Sequence, residues 1–390
     1  MKRAFLSLFM AAAMLPLGAV TTGEFTNPNN GEKYLTVESD LLQVHYNAAK
    51  GGGIRKFFFK PAGVDLTDPE SKTQGSATEN VWNIATSRFF LKNKPFVQRV
   101  IKNDGAVTVQ MTGHHEGGGI NFLEVCKDYT VKDGSAVLTI DYTFRNLPEA
   151  MSTVNYGFWM HHALGVLQAP GSYFYPQTGG IEVPKPTQDI WLYRPSRGWI
   201  ATANKDGDGV AVTMSFPELK IFYGWFASMK VPTVEWHCVE QAIEEGGEWK
   251  TTVQYIPFRG MEGVSGAGNG LVGFIKPAEE NPEPEESTSV EVRLWNGNAG
   301  DVEIELFRRD AAKEKWRSID KRQLKFAKGA SLQKYALEVG ADDDMLVELE
   351  AVISQNGKEM ARLNAAIPFG EPGRKWSIEA QEASKASSVK

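Results

Sequence analysis

Residues 232–260 have the sequence PTVEWHCVEQAIEEGGEWKTTVQYIPFRG, which predicts two β-strands with a turn at Gly246-Gly247 between them. β-Branched and aromatic residues are frequent on both sides of the glycines, as is typical of strands. Successive side chains of a strand point to opposite faces, so we expect Glu235 and His237 on one face. Two neighbouring proton-transfer groups can act as acid and base on one bound molecule. A surface ion pair on a solvated strand face is the alternative.

Length and composition indicate a β-protein. The chain has 390 residues, of which 42% are hydrophobic and 11% aromatic, with 38 glycines and 19 prolines. Short runs of Val, Thr, Tyr, Phe and Trp, broken by Gly and Pro, predict strands and turns. At roughly 150 residues per domain, the chain has room for two or three domains. We therefore predict an all-β protein.

The first 19 residues have the order of a secretory signal peptide. Lys2 and Arg3 precede an apolar run that ends at the small residues Gly18 and Ala19. We predict cleavage near Ala19 and an exported protein, periplasmic or secreted. An uncleaved anchor is the alternative, but the apolar run is short for the about 20 residues that a bilayer crossing needs. Loss of the two basic residues changes the formal net charge from −6 to −8, which argues against nucleic acid and anionic membrane surfaces as partners.

A change in composition predicts the domain boundary. Residues 278–287 are rich in Pro and Glu, which predicts an extended linker. The linker separates a large β-rich unit at 24–277 from short strand-like runs at 288–369, which predict a small β-sandwich of immunoglobulin or fibronectin type. The small unit has no His and no Cys, so we expect a spacer or packing module. The polar residues 370–390 predict a disordered tail.

Residues 153–164, TVNYGFWMHHAL, combine aromatic side chains with His161 and His162. Rings such as Trp159 can stack on the C–H faces of a sugar while polar groups take its hydroxyls, so the segment favours a carbohydrate site. A core strand that ends in two hydrogen-bonded histidines is the alternative. Further aromatic residues at 173–176 and 191–194 are expected on loops, where they could line a cleft or seal the edge of the sandwich.

The sequence predicts no metal and no cofactor. His114 and His115 are adjacent, and adjacent side chains on an extended chain diverge. The acidic segment 205–209 lacks the ligand number and the terminal Glu of a calcium loop, and the triple glycine at 51–53 lacks the Lys-Ser/Thr of a phosphate loop. The two cysteines, Cys126 and Cys238, could form a disulfide in an exported protein or remain two buried thiols.

Three segments in order give residues 24–277 a resemblance to the galactose mutarotase-like superfamily, which includes the aldose 1-epimerases. Residues 129–164 resemble the family's segment of two strands followed by a glycine and a histidine, and residues 199–225 resemble a later hairpin. Residues 232–260 resemble the final site strand, with an acidic residue before the Gly246-Gly247 turn and a Tyr-x-Pro-Phe ending at 255–258. The resemblance implies a large antiparallel β-supersandwich with a carbohydrate cleft on a concave face.

The resemblance also implies roles for individual residues. In family epimerases a glutamate takes the proton of the anomeric hydroxyl and a histidine protonates the ring oxygen. These positions fall on Glu235 and His161. His237 would tune Glu235, since a nearby cation favours a carboxylate. Further candidates for sugar contacts are Arg88, Trp159, His162, Tyr223, Trp225 and Glu240, of which Glu240 is also the second choice for the base.

Three hypotheses follow. The first is an exported, mutarotase-like enzyme that acts on a sugar or oligosaccharide by acid–base chemistry with His161 and Glu235. The second is a noncatalytic glycan-binding protein of the cell envelope that uses Trp159, Tyr223 and Trp225 as stacking platforms. The third is a lyase for uronic-acid polymers, in which Arg88 or a Lys neutralises the carboxylate. The sequence predicts a carbohydrate ligand and leaves the oligomeric state open.

Overall fold

The structure is a computed structural model that describes residues 19–67, 75–83, 89–115, 122–162, 171–178, 180–184, 188–225, 233–310, 314–327 and 330–371. At positions 82, 83, 89, 90, 92, 115, 161 and 162 it describes the backbone alone. The predicted signal peptide, Arg88 and most of the predicted tail therefore lie outside the described residues.

Antiparallel strands account for nearly all of the described secondary structure. The first 21 strands are β1 (Thr21–Thr26), β2 (Lys33–Glu38), β3 (Leu42–Asn47), β4 (Gly53–Phe59), β5 (Val64–Asp65), β6 (Ser76–Asn83), β7 (Phe89–Phe90), β8 (Val97–Asn103), β9 (Ala106–His115), β10 (Leu123–Lys132), β11 (Leu138–Asn146), β12 (Val154–His162), β13 (Ser172–Gln177), β14 (Gly180–Glu182), β15 (Ile190–Leu192), β16 (Trp199–Ala203), β17 (Gly209–Thr213), β18 (Leu219–Trp225), β19 (Thr233–Cys238), β20 (Gln241–Ile243) and β21 (Glu248–Phe258). They are followed by β22 (Gly266–Gly268), β23 (Leu271–Pro277), β24 (Ser287–Asn296), β25 (Gly300–Arg309), β26 (Arg317–Phe326), β27 (Ser331–Gly340), β28 (Met345–Gln355) and β29 (Lys358–Phe369). Short 3-10 helices occupy Leu91–Asn93, Pro148–Ala150 and Phe216–Glu218. The prediction of an all-β protein is confirmed.

Two large sheets form the first unit. Sheet I has the order β1-β2-β3-β4-β6-β12-β19-β18-β15, with β5, β7 and β20 paired to its members. Sheet II has the order β14-β13-β16-β17-β21-β11-β10-β9-β8. The alternating apolar residues of both sheets meet in one continuous hydrophobic core. We call the face of each sheet that packs into this core its inner side, and the opposite face its outer side. The two-sheet architecture agrees with the predicted large antiparallel sandwich.

Local turn signals place some strand pairs and not others. The predicted hairpin at residues 103–105 is confirmed, because β8 and β9 pair there and Gly105 has φ 68°. The Gly246-Gly247 turn has a different role, since β19 belongs to sheet I and β21 to sheet II. This turn therefore carries the chain from one sheet to the other, a choice that depends on long-range packing.

The second unit consists of two four-stranded sheets around a separate apolar core. Sheet III has the order β22-β23-β24-β27 and sheet IV the order β26-β25-β28-β29. The immunoglobulin or fibronectin type of this unit stays a prediction. One feature differs from the expected boundary: β23 was expected in the large unit, but it pairs with β24, and its Leu271 and Ile275 are buried in the second core. The Pro- and Glu-rich segment is thus the connection within a β-hairpin.

Two smaller expectations concern the cysteines and the membrane. Cys126 and Cys238 are both buried free thiols, located in sheets II and I respectively. Within the described ranges, we find no helix with the length and hydropathy that a bilayer crossing requires.

Candidate functional site

The candidate site lies on the outer side of sheet I, opposite its apolar core. Along β19, Val234, Trp236 and Cys238 belong to the core. Strand alternation therefore places Glu235 and His237 together on the outer side, as the sequence predicted.

Strand register brings the predicted site positions into two rows. His161 on β12 and Tyr223 on β18 both pair with Glu235. Trp159 on β12 pairs with His237 in the neighbouring row. Residues opposite each other in an antiparallel pair share a face and lie within about 5.5 Å at Cβ, so His161 occupies a position beside Glu235.

The aromatic rings on this face form one continuous cluster. The ring centroid of Trp159 lies 4.3 Å from that of His237 and 5.9 Å from that of Tyr223. Trp191 lies 4.1 Å from Tyr223 and 5.7 Å from His237. Offset and edge-on ring pairs at these distances are stabilising, so the rings pack against one another as an aromatic wall beside Glu235.

Glu235 is buried although it lies on the outer side. It is only 1% exposed, and the hydroxyl of Thr233, two residues earlier on the same face, donates a hydrogen bond to its carboxylate Oε1. A buried carboxylate requires such donors, because desolvation of a charge is unfavourable without them. The hydroxyl of Tyr223 donates to Asp189 Oδ2 at 3.1 Å, which adds a second carboxylate at the edge of the cluster.

The structure places the other predicted site residues at different distances from this cluster. Trp225 lies on the outer side and pairs with Thr233, one row beyond Glu235. Glu240 is exposed and bonded to Lys220 Nζ at 2.8 Å, and this lysine holds the pKa of Glu240 below its usual value. His162 sits at a register shift opposite Val234, and its side chain, like that of His161, is outside the described atoms. Arg88 lies outside the described residues altogether.

Two polar residues of β6 belong to this face and are not among the residues predicted from the sequence. Thr78 and Asn80 pair with His161 and Trp159, and each is 1% exposed. The alternation in Ser76–Asn83, SATENVWN, could have revealed them, since Thr78 and Asn80 share one parity of the strand. Asn80 and Thr78 extend the two rows by one strand and add two polar residues to this face.

A buried ion pair lies directly behind the site, between the two sheets. Lys127 Nζ on β10 contacts Glu79 Oε2 on β6 at 2.8 Å, and both side chains are fully buried. The same ammonium donates to the carbonyls of Gly51 at 2.7 Å and Ala77 at 2.8 Å. Burial, and next to it the Glu79 charge, raises the pKa of Tyr142 well above its ordinary value.

This ion pair supports the irregular backbone of β6. Ala77 has φ 57°, a left-handed conformation that is rare for residues other than glycine. The β6–β12 register shifts at this point, where His161 pairs with Thr78 and His162 with Ser76. The Ala77 bulge therefore sets the position of β6 opposite the two histidines, and the ammonium of Lys127 holds its carbonyl.

In the described part of the chain, the site coincides with neither a metal cluster nor the cavity of about 550 Å³. Among the described residues, no group of three His, Cys, Asp or Glu side chains could hold a metal ion. A cavity of about 550 Å³ lies instead between sheet II and the strands β22 and β29, with Trp199, Thr213 and Arg362 in its wall. The candidate site is therefore supported by its side-chain chemistry and strand register, and not by cavity size.

Comparisons with known proteins show a partial likeness in shape. No family model matches this sequence, and neither does any curated protein sequence. A galactose mutarotase-like protein from Lactobacillus casei overlaps 58% of this chain and 100% of its own, at 13% identity and TM-score 0.42. Galactose 1-epimerase from Lactobacillus acidophilus overlaps 62% of this chain and 100% of its own, at 10% identity and TM-score 0.45.

A TPR-domain containing protein from Parabacteroides distasonis overlaps 62% of this chain at 10% identity and TM-score 0.46, and this chain spans only 53% of its length. Structural neighbours at low identity thus include galactose mutarotase-like and 1-epimerase proteins. Overlaps of this size do not establish a family or an activity for this chain.

Proposed function

We propose that this protein binds a sugar on the outer side of sheet I and catalyses acid–base chemistry at its anomeric carbon. The observation that carries the proposal is the pairing of His161 and Tyr223 with the buried Glu235, beside a cluster of aromatic rings. An aromatic wall suits the C–H face of a pyranose, and a carboxylate and an imidazole can move protons on its polar edge.

In the proposed reaction Glu235 accepts the proton of the anomeric hydroxyl while His161 donates a proton to the ring oxygen. The bond between the anomeric carbon and the ring oxygen breaks, and an open-chain aldehyde forms. Rotation about the adjacent carbon–carbon bond and reclosure, with both protons returned, yields the other anomer. Thr233 supports this role because its hydroxyl orients the carboxylate.

The test is the rate of anomer exchange in proton NMR spectra of fresh aldoses mixed with the protein. We expect Glu235→Gln and His161→Ala each to lower the rate by about 10²- to 10⁴-fold, the usual contribution of a positioned acid or base. His114→Ala and Glu244→Gln serve as matched controls, because both side chains are exposed and His114 lies on sheet II. Equal losses in the controls, or no loss in the two site variants, would contradict the proposed roles.

A noncatalytic glycan-binding protein is the second candidate, favoured by the aromatic cluster itself. Trp159, Trp191 and Tyr223 form a wall that could hold a sugar without any proton transfer. In that case the wild-type protein accelerates no exchange, Trp159→Ala weakens sugar binding, and Glu235→Gln leaves it within about tenfold, or 1.4 kcal/mol. The NMR experiment and a binding titration together separate the two candidates.

Export of the protein is part of the proposal. The basic start and apolar run of the first 19 residues support it, as does the acidic charge of the remainder. Cell fractionation of the full chain, with N-terminal sequencing of the exported product, is the test, and a product that retains Lys2 in the cytoplasm would refute export.

A further inference from the structure

The aromatic cluster continues beyond the site toward solvent. Trp191 and Tyr193 are two residues apart on and just after β15, and Leu192 between them is 4% exposed and belongs to the core. Alternation therefore places both rings on the outer side of sheet I. Their centroids are 6.5 Å apart and their planes differ by 16°, so the two rings present nearly parallel faces.

Exposure rises steadily along this line of rings. Trp159 and Tyr223, next to Glu235, are 7% and 9% exposed. Trp191 is partly exposed, and Tyr193 at the outer end is 41% exposed. Because the ring centroids of Trp191 and Tyr223 are 4.1 Å apart, the outer rings are continuous with the candidate site.

The polar groups along this line favour the hydroxyls of a sugar. The Asp189 carboxylate accepts a hydrogen bond from Tyr223, and Glu235 pairs with Tyr223 from the other side. Carboxylate oxygens are hydrogen-bond acceptors and can receive the hydroxyl protons of a sugar. Aromatic faces and hydrogen-bonding carboxylates together suit the C–H faces and hydroxyls of neutral sugars.

We propose that Trp191 and Tyr193 form a second subsite, and that the ligand is a neutral oligosaccharide whose terminal unit reaches Glu235. This inference rests on the proposed function for the location of the first sugar and adds the class of ligand. A free monosaccharide would occupy only the inner rings, whereas a chain would also contact the outer pair.

The test is calorimetric titration of the mature protein with glucose, cellobiose and cellotetraose, with galactose and lactose, and with trigalacturonate. We expect at least one neutral oligosaccharide to bind about tenfold more tightly than its own monosaccharide. Tyr193→Ala should weaken oligosaccharide binding about threefold to tenfold, the range of one aromatic contact, and leave monosaccharide binding within about twofold. Tyr193→Leu, which keeps the apolar bulk, provides the same test if the alanine variant does not fold.

Phe25→Ala is the matched control, because Phe25 is 39% exposed, stacks on Tyr34 and lies on β1 at the opposite edge of sheet I. Equal affinity for monosaccharides and oligosaccharides would refute the second subsite and leave the proposed function intact. Tighter binding of trigalacturonate would refute the neutral ligand class. Failure of every sugar to bind would refute both the subsite and the proposed function.

Discussion

Glu79 and Glu235 are two buried glutamates of the same sheet with opposite surroundings. Both are 1% exposed, and the strands that carry them, β6 and β19, are separated only by β12. Glu79 faces the core and is neutralised by Lys127, whose ammonium also holds two backbone carbonyls. Glu235 faces outward, accepts a hydrogen bond from the hydroxyl of Thr233 and pairs with Tyr223 of the neighbouring strand. Burial is thus the same for the two carboxylates, whereas their described partners differ.

The largest effect should separate the two glutamates by function. Glu235→Gln should lower turnover by about 10²- to 10⁴-fold under the proposed function, with a change in the free energy of unfolding of about 1 kcal/mol. Glu79→Gln should have a small effect on turnover and a large effect on the free energy of unfolding, because it leaves the Lys127 charge buried without its counterion. Parallel anomer-exchange and urea-unfolding measurements give both values. Similar changes in turnover and in the free energy of unfolding for the two variants would contradict different roles for Glu235 and Glu79.

The next effect concerns the ion pair itself. Lys127→Met should lower the free energy of unfolding by about 3–5 kcal/mol, since the loss of one partner leaves a buried charge uncompensated. The double variant Lys127→Met/Glu79→Leu should recover part of this loss, because no charge remains. Recovery should be incomplete, since the carbonyls of Gly51 and Ala77 lose their donor. A double variant as unstable as the single one would show that the carbonyl contacts, and not the ion pair, dominate.

A smaller effect is expected at Thr233, whose hydroxyl donates a hydrogen bond to Glu235. Thr233→Val removes the hydroxyl that donates to Glu235 and should lower the free energy of unfolding by about 1.5–3 kcal/mol, the range for a hydrogen bond to a charged group. Thr233→Ser keeps the donor and should retain most of the stability. Urea denaturation of both variants measures the difference, and equal loss in Val and Ser would mean that the methyl packing matters instead.

The smallest effect is a pH dependence at a third buried group of sheet I. Burial, and next to it the charge of Lys56, lowers the pKa of His45 to about 4, against a partial opposing effect of Glu38. The rings of Phe25 and Tyr34 also pack on this imidazole. Between pH 6.5 and 4 the unfolded chain binds a proton that the folded chain does not, so stability should fall as pH decreases through this window.

His45→Gln should reduce that slope without changing stability above pH 7. Thermal unfolding from pH 4 to 8, compared between the variant and the wild type, is the measurement. A wild-type curve that is flat over this range would contradict the lowered pKa of His45 in the folded protein.

Much of the local structure could be predicted from the sequence because it depends on near neighbours. Alternation in TVEWHC placed Glu235 and His237 on one face, and the Asn-Asp-Gly turn at 103–105 placed a hairpin. Roles at the site remain predictions, since Arg88 and the side chains of His161 and His162 lie outside the described atoms. Thr78 and Asn80 were overlooked, although their alternation was visible in the sequence.

The sequence alone determined the all-β class, the strand faces and the turns, because side-chain periodicity and turn chemistry act over a few residues. Only the tertiary structure decided that β19 and β21 belong to different sheets, that β23 packs in the second core, and that Lys127 meets Glu79. These choices depend on which distant apolar faces can be buried together. Such pairings close long loops of chain, and no local pattern specifies their partner.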